Sequence, residues 1–157
     1  MTVNKQKVIE SFIAMVEEQI RLIKDAAENA RERSNESEGR LQSRYDTQRI
    51  ETGYLAEAYS QKLADYRKSL VGLQQIKRMK TNGKVQVGSL MEINRGEQKE
   101  FYLLVPVGGG LTLSSPKITT ISVQAPLGRR LIGAKAGDTV SMPDRQGNTE
   151  IKIVNLI

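Results

Sequence analysis

Apolar residues recur at Ile9, Phe12, Val16, Ile20, Ile23, Ala27 and Ala30, in steps of three and four. That alternation places them on one stripe and predicts a helix from about Val3 to Arg33. Glu10, Glu17, Glu18, Arg21, Lys24, Asp25, Glu28 and Arg31 fall on the other faces, several as opposite charges three or four apart, and read as a solvated surface. A second stripe has the same spacing: Tyr45, Thr52, Leu55, Tyr59, Leu63, Tyr66, Leu70, Leu73 and Ile76. Between the stripes lie Ser34, Asn35, Glu36, Ser37, Glu38 and Gly39, a composition that favours caps and turns, so the chain is expected to reverse there. Two apolar stripes joined by a short bend predict an antiparallel coiled coil within one chain, about 45 Å long at 1.5 Å per residue. Its seam thins toward the bend, to Ala26, Ala27 and Ala30 against Thr52 and Gly53.

The periodicity changes after Thr81-Asn82-Gly83-Lys84, where Gly83 supplies a helix stop signal. Downstream, Val85–Val87, Gln98–Val105, Ile118–Val123, Thr139–Met142 and Glu150–Leu156 alternate in part and are rich in β-branched residues, which predicts about five strands. Leu127 to Leu131 has room for one or two helical turns. The fold class expected is α+β: residues 1–81 a coiled-coil hairpin, residues 82–157 a small antiparallel sheet domain with a short helix.

Composition narrows the chemistry. The 157 residues contain no Cys and no His, which removes disulfides, thiol nucleophiles, Cys/His metal sites and the commonest general base. Aromatics are 4% and Trp is absent, so a base-stacking platform is not expected. The net charge of +6 permits polyanionic partners, but the excess is shared by both halves with the signs interleaved, which reads as a mixed surface. The polar start of the chain and the lack of an apolar run of about 20 residues predict a cytoplasmic protein without membrane contact. Gly108-Gly109-Gly110 lacks the Lys-Ser/Thr ending and following helix of a phosphate loop and reads as a turn.

The order of a helical hairpin, then Ile121-Ser122-Val123-Gln124-Ala125-Pro126-Leu127-Gly128-Arg129-Arg130-Leu131-Ile132-Gly133, then Gly137-Asp138-Thr139-Val140, resembles the bacterial Gre transcription factors over most of the chain. Ala125 stands where the family pattern has Ser before the proline. The strand and glycine turn from Phe101 to Gly110 also resemble those of shorter Gre-like proteins.

The resemblance implies an FKBP-like C-terminal domain docked at the rim of the secondary channel of bacterial RNA polymerase, with the coiled coil inserted to modulate elongation. Nucleic acid is then met only indirectly, through the transcription complex, and the protein is expected to be a monomer with no catalysis of its own. In cleavage-competent factors, acids at the tip share a magnesium ion with the polymerase, which suits a hard cation that keeps most of its waters. The family tip reads Gly-Asp-Leu followed by Glu two residues on. Alignment of Gly39 and Leu41 with it puts Arg40 and Ser43 at the acid positions.

Glu36, Glu38 and Asp46 are the neighbouring carboxylates and the candidates for a cleavage role, with Glu38 and Asp46 the candidates for the shared magnesium. Candidate partner contacts are Arg40 and Arg44 at the tip and Gln124, Ala125, Pro126 and Leu127 at the turn. Beside these stand plainer readings: tip charges as a solvated loop, tyrosines as seam packing, Pro126 as a helix start, and Arg129 and Arg130 as exposed cations without a role. The competing functions are a coiled-coil adaptor or nucleic-acid-binding protein unrelated to polymerase, and a prolyl isomerase. The second would need an apolar pocket lined with aromatics, and Phe101 and Tyr102 are the only ones in the last domain.

Overall fold

The computed structural model describes the backbone of residues 2–36 and 42–157, and the side chains there except at 34–50 and 52. Two long helices come first, α1 (Lys5–Glu36) and α2 (Gln42–Ile76). They run antiparallel: Glu10 near the start of α1 meets Lys77 just beyond α2, whereas Ala27 and Ala30 line a groove with Ala56 and Tyr59. Helix α1 continues through Ser34–Glu36, part of the segment expected to turn. Helix α2 ends at Ile76, seven residues before Gly83. Gly88, at φ +89°, lies against Ile76 and Met79 where the helix ends.

A six-stranded sheet follows: β1 (Leu90–Arg95), β2 (Gln98–Val105), β3 (Thr112–Ser114), β4 (Lys117–Ser122), β5 (Thr139–Asp144) and β6 (Gly147–Leu156). Their order across the sheet is β3-β4-β2-β1-β6-β5. Helix α3 (Pro126–Leu131) connects β4 to β5. The expected antiparallel sheet needs correction, since β2 and β4 pair in parallel, with Phe101 opposite Ile118 and Val105 opposite Ser122. The short edge strand β3 makes this possible by leading the chain back beside β4 in the opposite direction.

Val85–Val87 is also not a strand. Val85 is instead buried by two backbone bonds, its N–H to Ala134 O (2.7 Å) and its O from Gly133 N–H (2.8 Å).

Each face of the sheet has its own core. On one face Leu90, Leu103, Val105 and Ile118 pack with Val8, Ile9, Phe12 and Val16 of α1 and Leu73 and Ile76 of α2. On the other, Met91, Ile93, Leu104, Ile151 and Ile153 pack with Leu127 and Leu131 of α3. The base of the hairpin is therefore part of the sheet's core, not a rod on a free linker. From about Ile20 to Glu36, about 25 Å of helix at 1.5 Å per residue, α1 extends past this shared core. Burial falls along the arm: Ile23 is buried, Tyr59 and Leu63 are half-buried, and Leu55 is 43% exposed.

Candidate functional site

Contacts at the base fix how the arm is presented. The loop after β2 passes so close to α2 that small residues are required on both sides. Gly72 faces Pro106 and Val107, and a Cβ there would lie 3.2 Å from the Val107 carbonyl oxygen. Gly108 sits on Ser69, at φ +72°, and a Cβ on it would come within 2.8 Å of the Ser69 Cα. The Ser69 hydroxyl lies 3.1 Å from Asp65 O in its own helix and 3.2 Å from Gly108 O across the gap, so it can donate to either carbonyl. The glycine run that read as a turn is thus also the seat of α2. On the far side of the loop Gly110 N–H donates to Thr120 O (2.7 Å), and Thr120, buried in β4, accepts from Leu111 N–H through its side chain (2.9 Å).

Toward the apex the helices leave a groove of about 470 Å³ lined by Ile23, Ala27, Ala30, Ala56, Tyr59 and Leu63. Methyl-sized side chains in a coiled-coil seam give few dispersion contacts, so this segment is weakly packed. Among the candidate tip residues, Glu36, Arg44 and Asp46 have their backbone on α1 or α2. Their side chains, and Glu38 and Arg40 altogether, lie outside the described residues. Among the described residues no three acidic side chains gather in a way that would hold a metal ion.

The turn from Ser122 to Gly128 is built by local bonds. Gln124 N–H donates to Ser122 Oγ (3.1 Å), Ala125 N–H to Ser122 O (3.0 Å), and Arg129 N–H to Ala125 O (3.0 Å), which opens α3. Pro126 occupies the first helical turn, where its fixed φ and missing N–H cost nothing. Gln124 and Pro126 are exposed and Ala125 is half-buried, while Leu127 is 6% exposed and belongs to the core beneath α3. The Leu127 side chain is therefore not at the surface as a candidate partner contact would need to be. Arg129 points to solvent, but Arg130 does have a role: its Nη1 donates to Ser141 O (2.9 Å) on edge strand β5. That strand also carries Pro143, which lacks an N–H, so two devices protect an otherwise open sheet edge.

Ala125 has the extended conformation of an N-cap, φ −66° and ψ 149°, but no side-chain oxygen to accept from the helix. Ala125→Ser is expected to add about 1 kcal/mol of stability, raising Tm by about 2–4 °C. Thermal unfolding followed by circular dichroism checks it, and an unchanged Tm would mean the hydroxyl does not reach the α3 amides.

A polar cluster that the sequence did not single out lies on the α3 side of the sheet. The Tyr102 hydroxyl donates to Glu100 Oε2 (2.8 Å), with Arg95 Nη2 3.7 Å from the same oxygen. Burial and the Glu100 carboxylate together raise the Tyr102 pKa, so the phenol stays protonated.

The chain thus has a helical hairpin seated on one face of a mixed sheet and a proline-started helix on the other. Residues 80–157 match the family model described as transcription elongation factor, GreA/GreB, C-term. The C-terminal part, residues 80–157, belongs to that family. Among solved structures it is similar to Gfh1 of Thermus aquaticus, with 19% identity over 91% of this chain and 92% of that one at a TM-score of 0.42. It is similar also to GreA factor homolog 1 (Gfh1) of Thermus thermophilus, with 18% identity, 92% and 94% coverage and a TM-score of 0.38. A third is the GreA/GreB elongation factor of Nitrosomonas europaea, with 18% identity over 59% of this chain and 90% of that one and a TM-score of 0.38. No curated protein matches. Among the described residues no helix is long and apolar enough to cross a membrane.

Proposed function

We propose that this chain binds bacterial RNA polymerase through its C-terminal domain and places the helical arm in the secondary channel, where it modulates elongation. The observation that carries this reading is the GreA/GreB C-terminal domain joined, through a shared core, to an arm that extends about 25 Å past it. An arm seated by Phe12, Ile76 and the Ser69–Gly108 contact delivers its tip to a position set by where the domain docks. The exposed Gln124 and Pro126 are the turn residues available for that docking.

Cleavage stimulation is a separate property of the tip. Arg40 and Ser43 at the aligned positions supply no carboxylate, and a guanidinium repels a metal ion. Glu36, Glu38 and Asp46 are the acids on which cleavage would depend, with the magnesium shared with the polymerase and none bound by this chain alone.

The test is transcript cleavage by a stalled, backtracked polymerase complex, run beside direct binding at moderate salt. Gln124→Ala with Pro126→Ala is expected to weaken binding about tenfold without lowering Tm, because truncating exposed side chains at the centre of an interface costs affinity and leaves the fold intact. Glu36→Ala, Glu38→Ala and Asp46→Ala together are expected to leave binding intact and remove whatever cleavage the wild type stimulates. Wild-type protein that does not bind polymerase would overturn the reading in favour of an adaptor.

A further inference from the structure

Folding gathers the positive charge that sequence order spreads out. From Tyr66 to Met91 the chain carries Arg67, Lys68, Lys77, Arg78, Lys80 and Lys84 and no acidic residue. The last four follow the end of α2, and two more cations join them through the fold. Lys5 Nζ donates to Met79 O (3.1 Å), and Lys135 adjoins the Gly133–Ala134 segment that bonds to Val85. The carboxylates along this strip are Glu10, 3.4 Å from Lys77, and Asp138, whose Oδ2 accepts from the Lys135 N–H.

Six cations against two acids leave an excess of four, out of +6 for the whole chain. Arg78, Lys80, Lys84 and Lys135 are exposed, and none forms an ion pair among the described residues. Two exposed apolar side chains adjoin these cations along the chain: Met79, 41% exposed, between Arg78 and Lys80, and Ile132, 48% exposed, beside the Gly133–Ala134 segment that bonds to Val85.

We propose that this strip at the base of the hairpin docks an acidic polypeptide segment that carries apolar anchor residues. The charge alone would suit a phosphodiester backbone as well. A phosphate chain, however, offers no partner to Met79 and Ile132, and the strip has no aromatic side chain on which a base could stack. An acidic segment with a Leu or Phe uses both features: its carboxylates meet the lysines, and its anchor meets the adaptable Met79 thioether. The strip lies at the end of α3 opposite Pro126, so it is a second surface, apart from the turn.

The test is fluorescence anisotropy, without polymerase, using a labelled Glu/Asp-rich peptide with two Leu, the same peptide with Ser for Leu, and an oligo-dT strand. The Leu peptide is expected to bind, with Lys80→Glu plus Lys84→Glu weakening it about tenfold or more. Lys117→Glu plus Arg145→Glu, an equal charge change elsewhere on the surface, is expected to stay within about twofold. Met79→Ser, or the Ser peptide, is expected to weaken binding about fivefold. Circular dichroism checks that each variant is folded. No binding of the Leu peptide, equal loss in the control variant, or oligo-dT binding as tightly and indifferent to Met79→Ser would overturn the proposal.

Discussion

Phe12→Ala is expected to destabilise the protein by about 3–5 kcal/mol, the range for deleting a fully buried aromatic ring. Phe12 is 0% exposed and packs between the two helices and the sheet, in one core cluster with residues from α1, α2, β1, β2 and β4. The consequence reaches beyond stability, because the same core sets where the arm points. Tm is expected to fall by about 10 °C or more, and hydrogen exchange should rise at the base of both helices and in β1 together. Leu55→Ala, at a 43% exposed seam position, is the comparison. Its cost is expected to be under about 1 kcal/mol, as for other sites without a buried partner. Similar losses for the two variants would mean that the arm is not held by the shared core.

Gly128→Ala is expected to cost about 3 kcal/mol or more, large for the addition of one methyl group, because the added carbon overlaps backbone. Its Cβ would overlap the Ser122 carbonyl oxygen and lie 3.2 Å from the Val123 Cα. That oxygen accepts the Ala125 N–H, so it cannot withdraw without opening the turn that starts α3. Gly53, on α2, is a fair control, since a Cβ there meets nothing within 4 Å. Gly53→Ala should be neutral or stabilising by up to about 1 kcal/mol, through the helix preference for alanine. Urea midpoints at unchanged slope compare the two. A Gly128→Ala midpoint equal to wild type would show that the turn has slack its geometry does not suggest.

The hairpin was legible because its signal is repetitive. Seven positions of α1 in steps of three and four point to one face, and four of them, Ile9, Phe12, Val16 and Ile23, are buried. Strand β2 was legible for a different reason, as an unbroken run of aromatic and aliphatic residues from Phe101 to Val105, and it is bounded as read at Gln98 and Val105. Strand β1 was not. As a central strand it buries residues on both faces, so Leu90 and Met91 are adjacent and buried and the period of two disappears. A register shift at Glu92/Ile93 against β6 disturbs the pattern further. Strand β3, at three residues, is too short to carry a period at all.

At the turn the sequence marked Gln124–Leu127 as one unit, whereas packing divides it: Gln124 and Pro126 face solvent and Leu127 the core. Linear order shows only part of the basic strip, the four cations from Lys77 to Lys84. Lys5, which bonds to Met79 O, and Lys135, next to the Gly133–Ala134 segment that bonds to Val85, join them only through folding.

The most direct test of the central claim is to locate the tip of the arm on the polymerase. The chain has no cysteine, so Ser37→Cys provides a single attachment point for an iron chelate that cuts nearby polypeptide by hydroxyl radicals. With the arm in the secondary channel, cuts are expected in the polymerase segments that border its catalytic magnesium, and Gln124→Ala with Pro126→Ala should shift the protein concentration needed for them up about tenfold. Cuts confined to the outer surface of a complex that still forms would contradict the account.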